Sequence, residues 1–107
     1  MKQLKDIAAV IRSKNSGPYE LTFDVIFADQ QSYDNFTQKH YFTAASVAAL
    51  YSIPESDVIS LVEFPPALAV KATIIRPLPS GGFGERDVYG AQQHVPLMNM
   101  NLPEWDE

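Results

Sequence analysis

Two polar segments hold the residue types that could do chemistry in this chain. The first is Arg12-Ser13-Lys14-Asn15, which runs into Ser16-Gly17-Pro18 just before an apolar stretch. A guanidinium, an ammonium and neighbouring N–H donors suit a carboxylate or a phosphate, above all if a turn aims them at one point. The second is Asp87-Val88-Tyr89-Gly90-Ala91-Gln92-Gln93-His94, after the glycine-rich Ser80-Gly81-Gly82-Phe83-Gly84. Gln92 and Gln93 can orient a carbonyl or carboxylate, Tyr89 can donate a phenol proton, and His94 can act as general acid or base near neutral pH. The ligand-binding candidates are therefore Arg12, Ser13, Lys14, Asn15, Asp87, Tyr89, Gln92, Gln93 and His94. The catalytic candidates are His94 and Asp24. Asp24 lies in an apolar strand and has Lys71 at an analogous place in another, so neighbouring strands would pair the two.

Other chemistries find no support. The chain has no cysteine, so disulfides, thiolate metal sites and cysteine nucleophiles are excluded. Only His40 and His94 supply imidazoles, too few for a multi-histidine metal site within one chain, and His40 reads as a solvated residue ending a polar helix. Ser13 and Ser80 are nominal nucleophiles with nothing beside them to activate them. The glycines match neither a P-loop nor a dinucleotide fingerprint, so no cofactor or metal is expected. A net charge of -5 argues against nucleic acid, whose binders carry a basic stripe. No apolar run approaches the ~20 residues that span a bilayer, and MKQLKDIAAVIRSKN has no signal-peptide core. A cytoplasmic protein is expected.

The elements that must position these groups follow from periodicity. At 107 residues, 46% of them hydrophobic, the chain suits one domain with one core. Leu4, Ile7, Ala8 and Ile11 have helical spacing, although a helical turn leading into an extended stretch fits equally well. Residues 19–28 alternate as a strand with Leu21, Phe23, Val25 and Phe27 on the core face. Residues 30–39 suggest a short amphipathic helix, and Thr43 an N-cap for a second helix ending near Tyr51. Residues 58–64 and 67–76 read as antiparallel strands joined through Pro65-Pro66. Residues 77–84 form a connection, and a last strand is expected near 95–101. Met98, Met100 and Trp105 are interface candidates, with Trp105 able to dock on the body. The expected fold is α+β, a two-layer sandwich with short helices on one face of an antiparallel sheet, ferredoxin-like in path.

Three stretches, LKDIAAVIRSKNSGP, ELTFDVIF and FPPALAVKATIIRPLPSGGFGERDVYGAQQHVPL, together resemble domain-of-unknown-function family 4387, a bacterial family of stand-alone proteins of this length. Ser16 departs from the alanine expected there. The family is similar to the small ferredoxin-like domain found with AtuA-type (acyclic terpene utilisation) proteins. The resemblance implies a companion subunit in the catabolism of an organic acid or acyl compound, with an AtuA-type large protein as partner and a homo- or hetero-oligomer as its assembly. It brings no catalytic residues. The alternative is a small lyase, hydratase or isomerase acting on a carboxylate or acyl substrate in a pocket at a homo-oligomer interface. A third reading is a structural subunit whose polar clusters only hold loops together.

Overall fold

The expected strand pattern takes shape as a four-stranded antiparallel sheet with helices on one face. The computed structural model describes residues 2–17, 19–75 and 95–105. The chain starts with a two-residue strand, β1 (Lys2–Gln3), and a single helical turn, α1 (Leu4–Ile7). It then extends into β2 (Ala8–Gly17), turns, and returns as β3 (Glu20–Phe27). Two helices follow, α2 (Gln30–Gln38) and α3 (Ala44–Tyr51). A hairpin of β4 (Val58–Phe64) and β5 (Ala69–Ile75) completes the sheet. Beyond it lie a short helix, α4 (Val95–Met98), and β6 (Asn101–Leu102), which pairs with β1.

The sheet order is β2-β3-β5-β4, with every neighbouring pair antiparallel. β3 and β4 are therefore parallel, with β5 inserted between them and α2 and α3 in the crossover. That is a split βαβ unit, the heart of a ferredoxin-like sheet. Its fourth strand, β2, comes from the N-terminal side of the unit, so the familiar strand arrangement is threaded in a permuted order.

Local chemistry sets the boundaries. Asp29 caps α2, its Oδ1 accepting from the Ser32 backbone N–H at 2.8 Å, and these hydrogen bonds hold its carboxyl below the usual carboxylate range. Thr43 caps α3 through a reciprocal box: Thr43 Oγ1 accepts from Ser46 N at 3.1 Å, and Ser46 Oγ accepts from Thr43 N at 2.9 Å. Pro65–Ala67 form a 3-10 turn that ends at Leu68 in the left-handed region. The Leu68 carbonyl then accepts from Phe27 N at 2.8 Å, tying the β4–β5 hairpin to the end of β3. Gly17, at φ +156° in the irregular β2–β3 register, takes a backbone conformation that a side chain would resist.

The core lies on one face. Leu21, Phe23, Val25 and Phe27 of β3 and Val70, Ala72 and Ile74 of β5 are buried beneath Tyr33 and Phe36 of α2 and Val47 of α3. Phe36 is wholly buried, with ring centroids 5.0 Å from Phe27, 5.7 Å from Tyr41 and 6.0 Å from Phe42. Leu4, Leu97, Met100 and Leu102 close the core from both chain termini.

Two expectations change and one alternative is decided. A single helical turn leads into an extended stretch over residues 8–17, the second of the two readings of the N-terminal segment, and Arg12–Asn15 lie in a strand rather than a turn. Residues 95–101 hold a helical turn before the short β6, because Leu97 and Met100, three apart, both face the core. Met100 is thereby a core residue rather than an interface candidate, while Met98 is half-buried. Trp105 docks on the body, 6.1 Å from the Tyr41 ring. His40, just past α2, is exposed, as read from the sequence.

Candidate functional site

The helices cover one face of the sheet. The other is open, and in-register pairing arranges its side chains in three central rows, with exposed Glu20 and Ile75 paired beyond them. The middle row runs Arg12, Asp24, Lys71, Val62 across β2, β3, β5 and β4. On one side lies a hydroxyl row, Lys14, Thr22, Thr73, Ser60. On the other lies an apolar row, Val10, Ile26, Ala69, Phe64. Side chains two residues apart along each strand share a face, so adjacent rows stand about 7 Å apart.

Asp24 is the hub of the middle row. Arg12 Nε donates to its Oδ2 at 3.2 Å, and Lys71 Nζ stands 3.8 Å from its Oδ1. The expected Asp24–Lys71 pairing is thus present, with Arg12 added from the opposite strand. The Asp24 side chain is 14% exposed, whereas Arg12 and Lys71 are 65% and 52% exposed. The carboxylate is recessed and its cations reach into solvent. Thr22 Oγ1 donates to Ser16 Oγ at 3.1 Å, which leaves the Thr73 hydroxyl to donate to Thr22 at 3.3 Å. Lys14 has no ion-pair partner among the described residues.

A concavity of about 560 Å³ lies over the middle and apolar rows and reaches Lys14, within the usual size of small-ligand sites. Its charged lining is Arg12, Lys14, Lys71 and Asp24, three cations against one carboxylate. Its apolar lining includes Ile26, Val62, Phe64, Ala67 and Ala69. Phe64 and Val62 are 57% and 45% exposed, a large apolar surface for two residues of one strand. Among the described residues, no group of three His, Asp or Glu side chains is placed to hold a metal ion. No helix among them is long and apolar enough to cross a membrane.

The strand splits the first predicted cluster in two. Arg12 and Lys14 face the concavity. Ser13 and Asn15, one residue out of phase, sit opposite Phe23 and Leu21 on the helix-covered side, where Ser13 is buried. The second cluster, Asp87, Tyr89, Gln92, Gln93 and His94, lies outside the described residues. Sequence reading gave no site role to Ile26, Val62, Phe64 or Ala69. The signal was there in VISLVEF: Ser60, Val62 and Phe64 alternate with Leu61 and Glu63, but a run so apolar conceals which side is wet.

The family model described as Domain of unknown function (DUF4387) matches residues 4–101. This chain belongs to that family. No curated protein matches the chain, and no solved structure matches it. The DUF4387 match spans every residue that lines the concavity, together with the Asp87–His94 segment.

Proposed function

We propose that this DUF4387 protein is a companion subunit that offers the open face of its sheet as an anion- and carboxylate-binding surface, completed by a larger AtuA-type partner. The observation that carries this reading is the charge of the concavity. On a chain of net charge -5, the described lining of this concavity sets three cations against one carboxylate, beside exposed apolar side chains. Clustered cations on an acidic protein favour an anion locally even when the molecule as a whole repels it. The concavity is open on one side, so a second protein surface is needed to exclude water and strengthen its electrostatics. Resemblance to domains found with AtuA-type proteins supplies the identity of that partner. The chain contributes binding groups rather than a complete catalytic set.

Co-expression with an AtuA-type large protein tests this reading. A stable complex should form, and Arg12→Glu/Lys71→Glu, which reverses the face, should weaken it or its carboxylate binding at least ten-fold. A chain that forms no such complex, and binds no carboxylate, refutes the reading.

A further inference from the structure

The anion that the open face takes can be specified by chemistry, building on the reading above. We infer that the ligand is an aliphatic carboxylate, lying diagonally across the sheet with its head beside Lys14 and Arg12 and its chain over Ile26, Ala69 and Phe64.

The rows dictate this orientation. Lys14 is the cation without an ion-pair partner among the described residues, while Arg12 and Lys71 share Asp24. A carboxylate head therefore meets an ammonium outside any ion pair at the Lys14 end, in the row of the Thr22 and Thr73 hydroxyls, with the exposed Glu20 one row further out and outside the concavity's lining. Moving from there across the middle row, the surface turns apolar: Ile26, Ala69 and Phe64 pair across β3, β5 and β4, and Ala67 extends the patch. Two row steps cover about 14 Å along the strands, so the head and the chain occupy different ends of one concavity. A doubly charged ligand without a chain would leave the Phe64 end wet. A neutral lipid would leave Lys14 unanswered. Asp24 sits between the two ends and disfavours a second carboxylate on the same ligand.

The test titrates the full chain with straight-chain carboxylates from acetate to dodecanoate and with primary alcohols of matching length, at constant ionic strength. Binding is followed by NMR shifts of Ile26, Ala69 and Phe64. Once the chain passes the middle row, each added methylene should tighten binding about two- to four-fold, the upper value being full burial, until the chain outgrows the apolar row. Alcohols should bind at least ten-fold more weakly. Phe64→Ser should flatten the chain-length dependence while leaving acetate binding unchanged, since that side chain is exposed and its loss spares the core. Lys14→Met should weaken all the acids by a similar factor and leave the slope intact. Equal affinity for acetate and dodecanoate overturns the aliphatic assignment while the anion-binding surface stands. Acids and alcohols binding equally, or no acid binding at all, overturns both.

Discussion

Replacing Asp24 with asparagine separates a ligand-binding face from a structural ion pair. The substitution keeps size and one hydrogen-bond acceptor for Arg12 but removes the only carboxylate among the described residues of the concavity's lining. Its two cation partners are more than half exposed, so each pair is worth about 0–1 kcal/mol and both cations stay hydrated when it is lost. The fold should lose less than about 2 kcal/mol, read by urea unfolding. Anion affinity should rise. A bound head group near Lys14 sits about one row, ~7 Å, from Asp24. A unit charge at that distance contributes about 0.6 kcal/mol in bulk water and about 2.4 kcal/mol at an effective dielectric of 20, so removing the repulsion is worth about three- to fifty-fold. The face is open, and the Debye length at physiological salt is about 8 Å, which selects the lower end, about three- to ten-fold. Isothermal titration with hexanoate at low and physiological salt measures it, and the gain should shrink as salt rises. A several-fold loss of affinity would show instead that Asp24 holds Arg12 in its binding position. Destabilisation beyond about 3 kcal/mol would make the triad a structural keystone. Either result refutes the charge reasoning.

Other outcomes follow from the fold. Phe36→Ala empties a wholly buried site among three rings and should cost about 3–5 kcal/mol in denaturant unfolding. Thr43→Ala breaks both arms of the α3 capping box and should cost about 1 kcal/mol, with no change in carboxylate affinity. Tyr51 stacks on Phe23 at 4.7 Å, and burial pushes its phenol far above its ordinary value of 10.0, a hydrogen bond to the Leu97 backbone pulling weakly the other way. The unfolded phenol ionises near pH 10 while the native one stays protonated. Tyr51's contribution is thus complete below pH 10 and is lost as pH rises above it. Unfolding curves from pH 8 to 11 should show that loss, and Tyr51→Phe should reduce it.

Much of the scaffold could be read before any coordinates. The alternation of Leu21, Phe23, Val25 and Phe27 announces a strand with one dry side, because a two-residue period has only one fold in which it buries every apolar side chain. The same period in residues 67–76 and the proline pair before it identify the β4–β5 hairpin, and these patterns led to the Asp24–Lys71 pairing. Thr43 declares α3 because a hydroxyl in that position satisfies a backbone N–H that the helix itself cannot.

Tertiary structure decided what local pattern leaves degenerate. Leu4, Ile7, Ala8 and Ile11 fit a helix, yet all but the first turn is strand. Ile11, Ser13 and Asn15 make a weakly apolar inner face, so only pairing with β3 selects the extended form. That choice turns Ser13 and Asn15 away from Arg12 and Lys14, and it places Arg12 on Asp24. The apolar half of the concavity arises in the same way, from strands contributed by segments distant in the chain. Periodicity states which side chains alternate, but the partner strand determines which of them share a surface.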